Sequence, residues 1–149
     1  MNDNREDSAD HQGELEEVLR RVFVELLRLE AAPLGQWQPE KGWVRGAAVD
    51  IAGAWNGRVR VLCDRELAGA LGAAMFRVPV DTLQAHDMTD AVCELTNIIA
   101  GNIKPLLPAP AQLSSPVSDH SPELSPTAAV RACMTIGERF KVAAELDPV

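Results

Sequence analysis

The sequence predicts an α+β fold in which long helices pack on a mostly antiparallel β-sheet. Three observations carry this expectation. Helix-like and strand-like segments come in groups rather than in strict alternation, which argues against a parallel βαβ sheet. Apolar residues recur at helical spacing around residues 15–29 and again around 92–103, while the stretches between and after them alternate. The 149 residues suffice for one domain with a real core and are too few for two comfortable ones.

The elements follow in order. Residues 1–13 are polar and acidic, read as a disordered arm, and carry no secretory pattern; a single domain then runs over 14–149. Leu15, Val18, Leu19, Val22, Leu26 and Leu29 form one stripe of a helix over 14–31, closed by Pro33 and Gly35. Residues 43–63 read as two strands. Ala47, Val49 and Ile51 fall on one face and Val44, Gly46, Ala48, Asp50 and Ala52 on the other. Asn56-Gly57 between the strands predicts a type I′ turn, since both residues tolerate positive φ. Asp64 is a fit N-cap for a short helix ending at Phe76, in which Gly69 and Gly72 read as packing positions.

A long helix follows, starting near Asp87 or Thr89, either of which suits its cap. It runs to about Leu107, where Pro108 and Pro110 stop it, with Pro105 kinking the last turn. A short strand over 112–118, a Ser/Pro-rich loop over 118–127 and a hairpin around Gly137-Glu138 complete the chain.

Composition excludes several classes of function. The net charge is −8, with no basic cluster to compensate, which argues against nucleic acid or an anionic membrane as a general partner. No apolar run approaches the ~18 residues that span a bilayer, and the cytoplasm is the expected location. Cys63, Cys93 and Cys133 are far apart and read as free buried thiols. His11, His86 and His120 lie at no zinc-ligand spacing, so no metal site is expected in the chain itself. No phosphate-binding glycine loop and no nucleophile–histidine pairing is recognisable.

The long helix holds the most informative run, Asp90 to Lys104. Residues 90, 94, 97, 101 and 104 share one stripe, which reads Asp, Glu, Asn, Gly, Lys. Val92, Leu95, Ile99, Ile103 and Leu106 fall on the opposite side at core spacing. A polar helix face ordinarily exists because water is there. Two residues set this one apart: Gly101 costs roughly 1 kcal/mol against Ala in a helix, and Asn97 is neutral to unfavourable mid-helix. A glycine on such a face lets another chain approach closely.

Asp90-x-x-x-Glu94-x-x-Asn97 resembles the signature of the CheC/CheX/FliY chemotaxis phosphatases. The following Ile98-Ile99-Ala100-Gly101-Asn102-Ile103-Lys104 is similar to the CheX branch, and Leu113-Ser114-Ser115-Pro116-Val117 resembles a proline-containing segment that follows the helix in that family. The likeness covers roughly residues 15–147. It implies a CheX-like fold and hydrolysis of the aspartyl phosphate of a response-regulator receiver domain. The two-helix-motif arrangement of the CheC branch is absent, since the first helix has no Glu-x-x-Asn; one site per chain is expected.

The resemblance assigns Asn97 to orienting the attacking water and Glu94 to pairing with a receiver lysine. An amide suits the first task, because it accepts and donates hydrogen bonds without a negative charge that phosphate would repel. Asp90 takes a supporting role in docking or helix orientation, and Gly101 permits close approach. Lys104 either meets an acidic rim or solvates the helix end, the ordinary behaviour of a cation there. The receiver is expected to supply Mg²⁺, and a homodimer is the expected assembly. The alternatives are a non-catalytic receiver-binding or adaptor module of the same fold, and a structural homodimer whose helix face is merely wet.

Overall fold

The computed structural model describes residues 3–119 and 122–149. Expectations for Met1, Asn2, Ser121 and the loop position of His120 lie outside the described residues.

The first helix, α1, spans Asp3–Leu27. Its backbone begins ahead of Glu14, where apolar spacing gives no signal, and ends before Ala31. Arg28 takes a left-handed φ of 58° and terminates it. Ala31–Pro33 is instead a short strand, β1. A proline is tolerated there because β1 lies at the sheet edge, with its missing N–H on a ladder that no further strand joins. Leu15, Val18, Leu19, Val22 and Phe23 of α1 are buried.

Strands β2 (Val44–Gly53) and β3 (Gly57–Asp64) form the expected hairpin, with Ala48 opposite Arg60. Its turn is not type I′. Asn56 has no positive φ; its side chain accepts from the Gly53 N–H at 3.2 Å and donates to the Gly53 carbonyl at 3.3 Å, so the loop closes side chain to backbone. Gly57 is needed for another reason: a Cβ there would sit 2.1 Å from the Trp55 ring.

Helix α2 (Arg65–Phe76) starts at Asp64, as expected, with the carboxylate accepting from the Leu67 N–H at 2.9 Å. The other Asp64 oxygen takes the Lys141 N–H at 2.9 Å and ties the helix to the sheet. Gly69 and Gly72 are packing positions: a Cβ would lie 3.3 Å from Val80 at the first and 3.2 Å from Leu83 at the second. A 3-10 turn at Val80–Thr82 leads into α3, Ala85–Ile103. Its N-cap is Gln84 rather than Asp87 or Thr89; Asp87 sits at the third position and its carboxylate accepts from the Gln84 N–H at 2.9 Å.

The helix ends earlier than expected. Lys104–Leu106 is a 3-10 turn containing Pro105. The change of pitch takes Leu106 out of the apolar phase; it is 46% exposed and not a core residue. The single strand expected over 112–118 is two, β4 (Ala111–Leu113) and β5 (Val117–Asp119). Both pair with β2. Between them Ser114 exchanges two 2.9 Å bonds with the Asp50 backbone. Strands β6 (Val130–Ile136) and β7 (Phe140–Pro148) turn through Gly137 and Glu138, whose φ values are 61° and 60°.

The seven strands form one antiparallel sheet in the order β1-β6-β7-β3-β2-β4, with β5 also on β2. The three helices share one core with the face carrying Ala47, Val49, Ile51, Val59 and Val61. The opposite face holds a small cluster around Trp37, Val44, Leu62 and Ala143. Beside it runs a charged ladder. Glu145 is buried there, accepting from Arg60 at 3.0 Å, Arg131 at 2.8 Å and the Ser125 N–H at 3.0 Å. Arg131 also donates to the Ser125 carbonyl, so part of the Ser/Pro-rich segment is fastened to the sheet.

Candidate functional site

Helix α3 lies with one side in the core and the other in solvent. Val92, Leu95, Thr96, Ile99, Ala100 and Ile103 are all buried. Thr96 is accommodated among them because its hydroxyl donates to the Val92 carbonyl at 2.7 Å. The core contacts fix the rotation of the helix about its axis, and that rotation turns Asp90, Glu94, Asn97, Gly101 and Lys104 outward. All five are exposed. Glu94 and Asn97 are separated by about 4.5 Å along the axis, less than one turn.

The stripe is also chemically uncommitted. Among the described residues, Asp90, Glu94, Asn97 and Lys104 have no side-chain hydrogen bond or ion pair within the chain. The contrast with Asn102 is informative, because Asn102 lies on the same helix and spends its amide on the Ile98 carbonyl at 2.8 Å. The Asn97 amide makes no such bond among the described residues.

Gly101 has no internal reason to be glycine. A Cβ built there meets nothing within 4 Å, whereas Gly72 is held against Leu83. Cys93, beside Glu94, is half-buried; burial and then the nearby Asp90 carboxylate push its thiol pKa up, so it is a poor nucleophile.

A cleft of about 760 Å³ opens on the far face of the sheet and one of about 620 Å³ near the C-terminal end of α3, and neither is lined by any of the five stripe residues. Among the described residues, no group of three or more His, Cys, Asp or Glu is placed to hold a metal ion, and no helix is long and apolar enough to cross a membrane.

One residue beside the stripe escaped sequence reasoning. Arg45 of β2 shares the core-facing parity of Ala47, Val49 and Ile51, yet is charged. That break in the alternation was the available signal.

The family model described as chemotaxis phosphatase CheX matches residues 45–136, which run from β2 through α3 to the end of β6. Solved structures share the fold. The chemotaxis protein CheX from Vibrio vulnificus aligns at 20% identity over 91% of this chain and 93% of its own, with a TM-score of 0.67. CheX from Desulfovibrio desulfuricans aligns at 22% identity over 91% and 97%, with a TM-score of 0.66. The CheX of a CheX–CheY–BeF3–Mg²⁺ complex from Borrelia burgdorferi aligns at 18% identity over 91% and 96%, with a TM-score of 0.61. A comparison with curated proteins found no match. Fold and signature helix together define a CheX/CheC-like chemotaxis domain. The chain belongs to the CheX family of chemotaxis phosphatases.

Proposed function

We propose that this chain hydrolyses the aspartyl phosphate of a response-regulator receiver domain, with Asn97 orienting the attacking water. The observation that carries the reading is the uncommitted Asn97 amide, exposed beside Glu94 on a helix whose other side is anchored in the core. Family membership supports it. So does the Borrelia relative, whose structure is a complex with CheY.

The chemistry asks little of the phosphatase. Phosphoryl transfer needs an in-line nucleophile and neutralised charge. Asn97 Oδ1 accepts one hydrogen bond from the water and holds its lone pair toward phosphorus. The water oxygen bonds to phosphorus, the bond from phosphorus to the aspartyl oxygen breaks, and that electron pair returns to the aspartate. The water's protons remain with the released phosphate and solvent. Mg²⁺ bound to the receiver would supply charge neutralisation. Glu94, one step earlier on the face, pairs with a receiver lysine by a charge-assisted hydrogen bond that fixes the register. Asp90 supports docking, Gly101 admits the receiver backbone, and Lys104 meets the far rim. Homodimerisation and a cytoplasmic location belong to this proposal, and sedimentation of the purified chain tests the former.

The decisive experiment follows the decay of phosphate on CheY-type receivers labelled with acetyl phosphate. Native chain accelerates decay; Asn97→Ala abolishes the acceleration while binding persists; Glu94→Ala weakens binding. Binding by the native chain without acceleration would reduce it to an adaptor.

A further inference from the structure

Four cationic side chains among the described residues are half-buried: Arg20, Arg45, Arg60 and Arg131. Three of them hold carboxylates. Arg20 reaches Glu17 at 3.1 Å, Arg60 reaches Glu145 at 3.0 Å, and Arg131 reaches Glu145 at 2.7 Å. Among the described residues, Arg45 has no carboxylate partner. Its one side-chain bond is from Nη1 to the adjacent Val44 carbonyl, at 3.1 Å. A guanidinium carries five N–H donors, so most of its capacity is unspent, and partial burial of an unpaired charge is unfavourable unless a partner arrives.

Its position says where that partner would come from. Arg45 lines a cavity of about 170 Å³ together with Thr89 and Val92 of α3 and with Ser118 and Asp119 of β5. Asp119 is engaged by Arg60 at 3.4 Å. Thr89 immediately precedes Asp90, the first residue of the exposed stripe. Arg45 therefore stands beside the acidic end of the docking helix, on the side of the β2–β5 edge.

We infer that Arg45 is a docking residue that pairs with a carboxylate on the rim of the receiver's phosphorylation site. The inference rests on the reading given above. A site built from an aspartyl phosphate and the carboxylates that hold Mg²⁺ is acidic. The stripe meets it with Asp90 and Glu94 in a chain of net charge −8, so the encounter needs a compensating cation. Arginine suits that place because its planar fork binds a carboxylate at two points, which sets orientation as well as attraction.

The test is steady-state dephosphorylation of a CheY-type receiver labelled with acetyl phosphate, at low and high salt, using the native chain, Arg45→Gln, Arg45→Lys and Arg45→Glu. Arg45→Gln should raise KM about tenfold with kcat unchanged, and Arg45→Glu more, with a flatter dependence of KM on salt. Arg45→Lys should recover part of the loss. Unchanged KM in both Gln and Glu variants overturns the inference while leaving the phosphatase reading intact. A fall in kcat alone also overturns it, because that would report a disturbed α3. If the native chain gives no acceleration, the phosphatase reading fails separately. Titration against the same receiver loaded with beryllofluoride then decides Arg45: weaker binding by Arg45→Glu supports it, and equal or absent binding overturns it.

Discussion

Arg60 of β3 and Glu145 of β7 stand opposite each other in the sheet register and are joined at 3.0 Å, with the carboxylate shut off from solvent. The same carboxylate receives Arg131 and the Ser125 N–H. It holds three strands, β3, β6 and β7, and a loop together on the face away from α3. Removing it leaves a buried N–H unpaired and two arginines short of a partner. Glu145→Ala should therefore lower stability by about 3 kcal/mol. Urea unfolding measures this. The turnover per folded molecule should stay at the native value, since the exposed stripe lies on the other side of the sheet.

Gly101 offers a change of opposite sign. A methyl group there enters open space, so Gly101→Ala should stabilise the protein by about 1 kcal/mol through helix propensity alone. If the glycine exists for a partner's approach, the same substitution raises KM for a phosphorylated receiver. A more stable variant with unaltered KM would remove Gly101 from the docking surface.

The two sides of α3 should separate folding from function. Leu95 is fully buried, and Leu95→Ala should cost about 3 kcal/mol. Asn97 is exposed, with no side-chain bond among the described residues, and Asn97→Ala should change stability by no more than about 0.5 kcal/mol. Thermal unfolding of both variants, read beside their phosphatase rates, distinguishes a lost water-orienting amide from a lost fold.

The far face carries a pH dependence of definite sign. A hydrogen bond from the Ser125 hydroxyl, at 2.6 Å, is the main cause holding the Asp147 carboxyl below its ordinary pKa, with Thr127 at 2.9 Å adding to it. A depressed folded pKa stabilises the protein above the unfolded value, and the contribution disappears as pH falls through the folded one. Stability of the native chain should thus drop as pH falls below about 4. Ser125→Ala should flatten that drop, because its folded and unfolded pKa values lie closer together. Denaturant titrations at a series of acidic pH values read both slopes.

Much of the fold was legible in the sequence because it is written locally. Asp64 announced the start of α2, and the apolar phase of residues 92–103 announced which side of α3 faces the core. Mismatches occur where a longer-range interaction overrides a local preference. Asn56-Gly57 has the residues of a type I′ turn, but the Trp55 ring over Gly57 and the Asn56 bonds to Gly53 close the loop otherwise. Pro33 suggested a helix stop, yet the chain had already left the helix at Arg28 to pair Ala31–Pro33 with β6. Leu106 kept the apolar spacing but lost its place when Pro105 changed the pitch.

What the sequence determined alone is the division of α3 into a buried side and a presented side, together with the identity of the residues presented. Helical periodicity fixes both, since a rotation of about 100° per residue needs no knowledge of the rest of the chain. Only the tertiary structure decided what stands next to that helix. The order of strands, the fastening of Ser125 to Glu145, and the position of Arg45 beside Thr89 join residues far apart in the chain. Such pairings depend on which hydrophobic faces meet and which charges are left without a partner once they do.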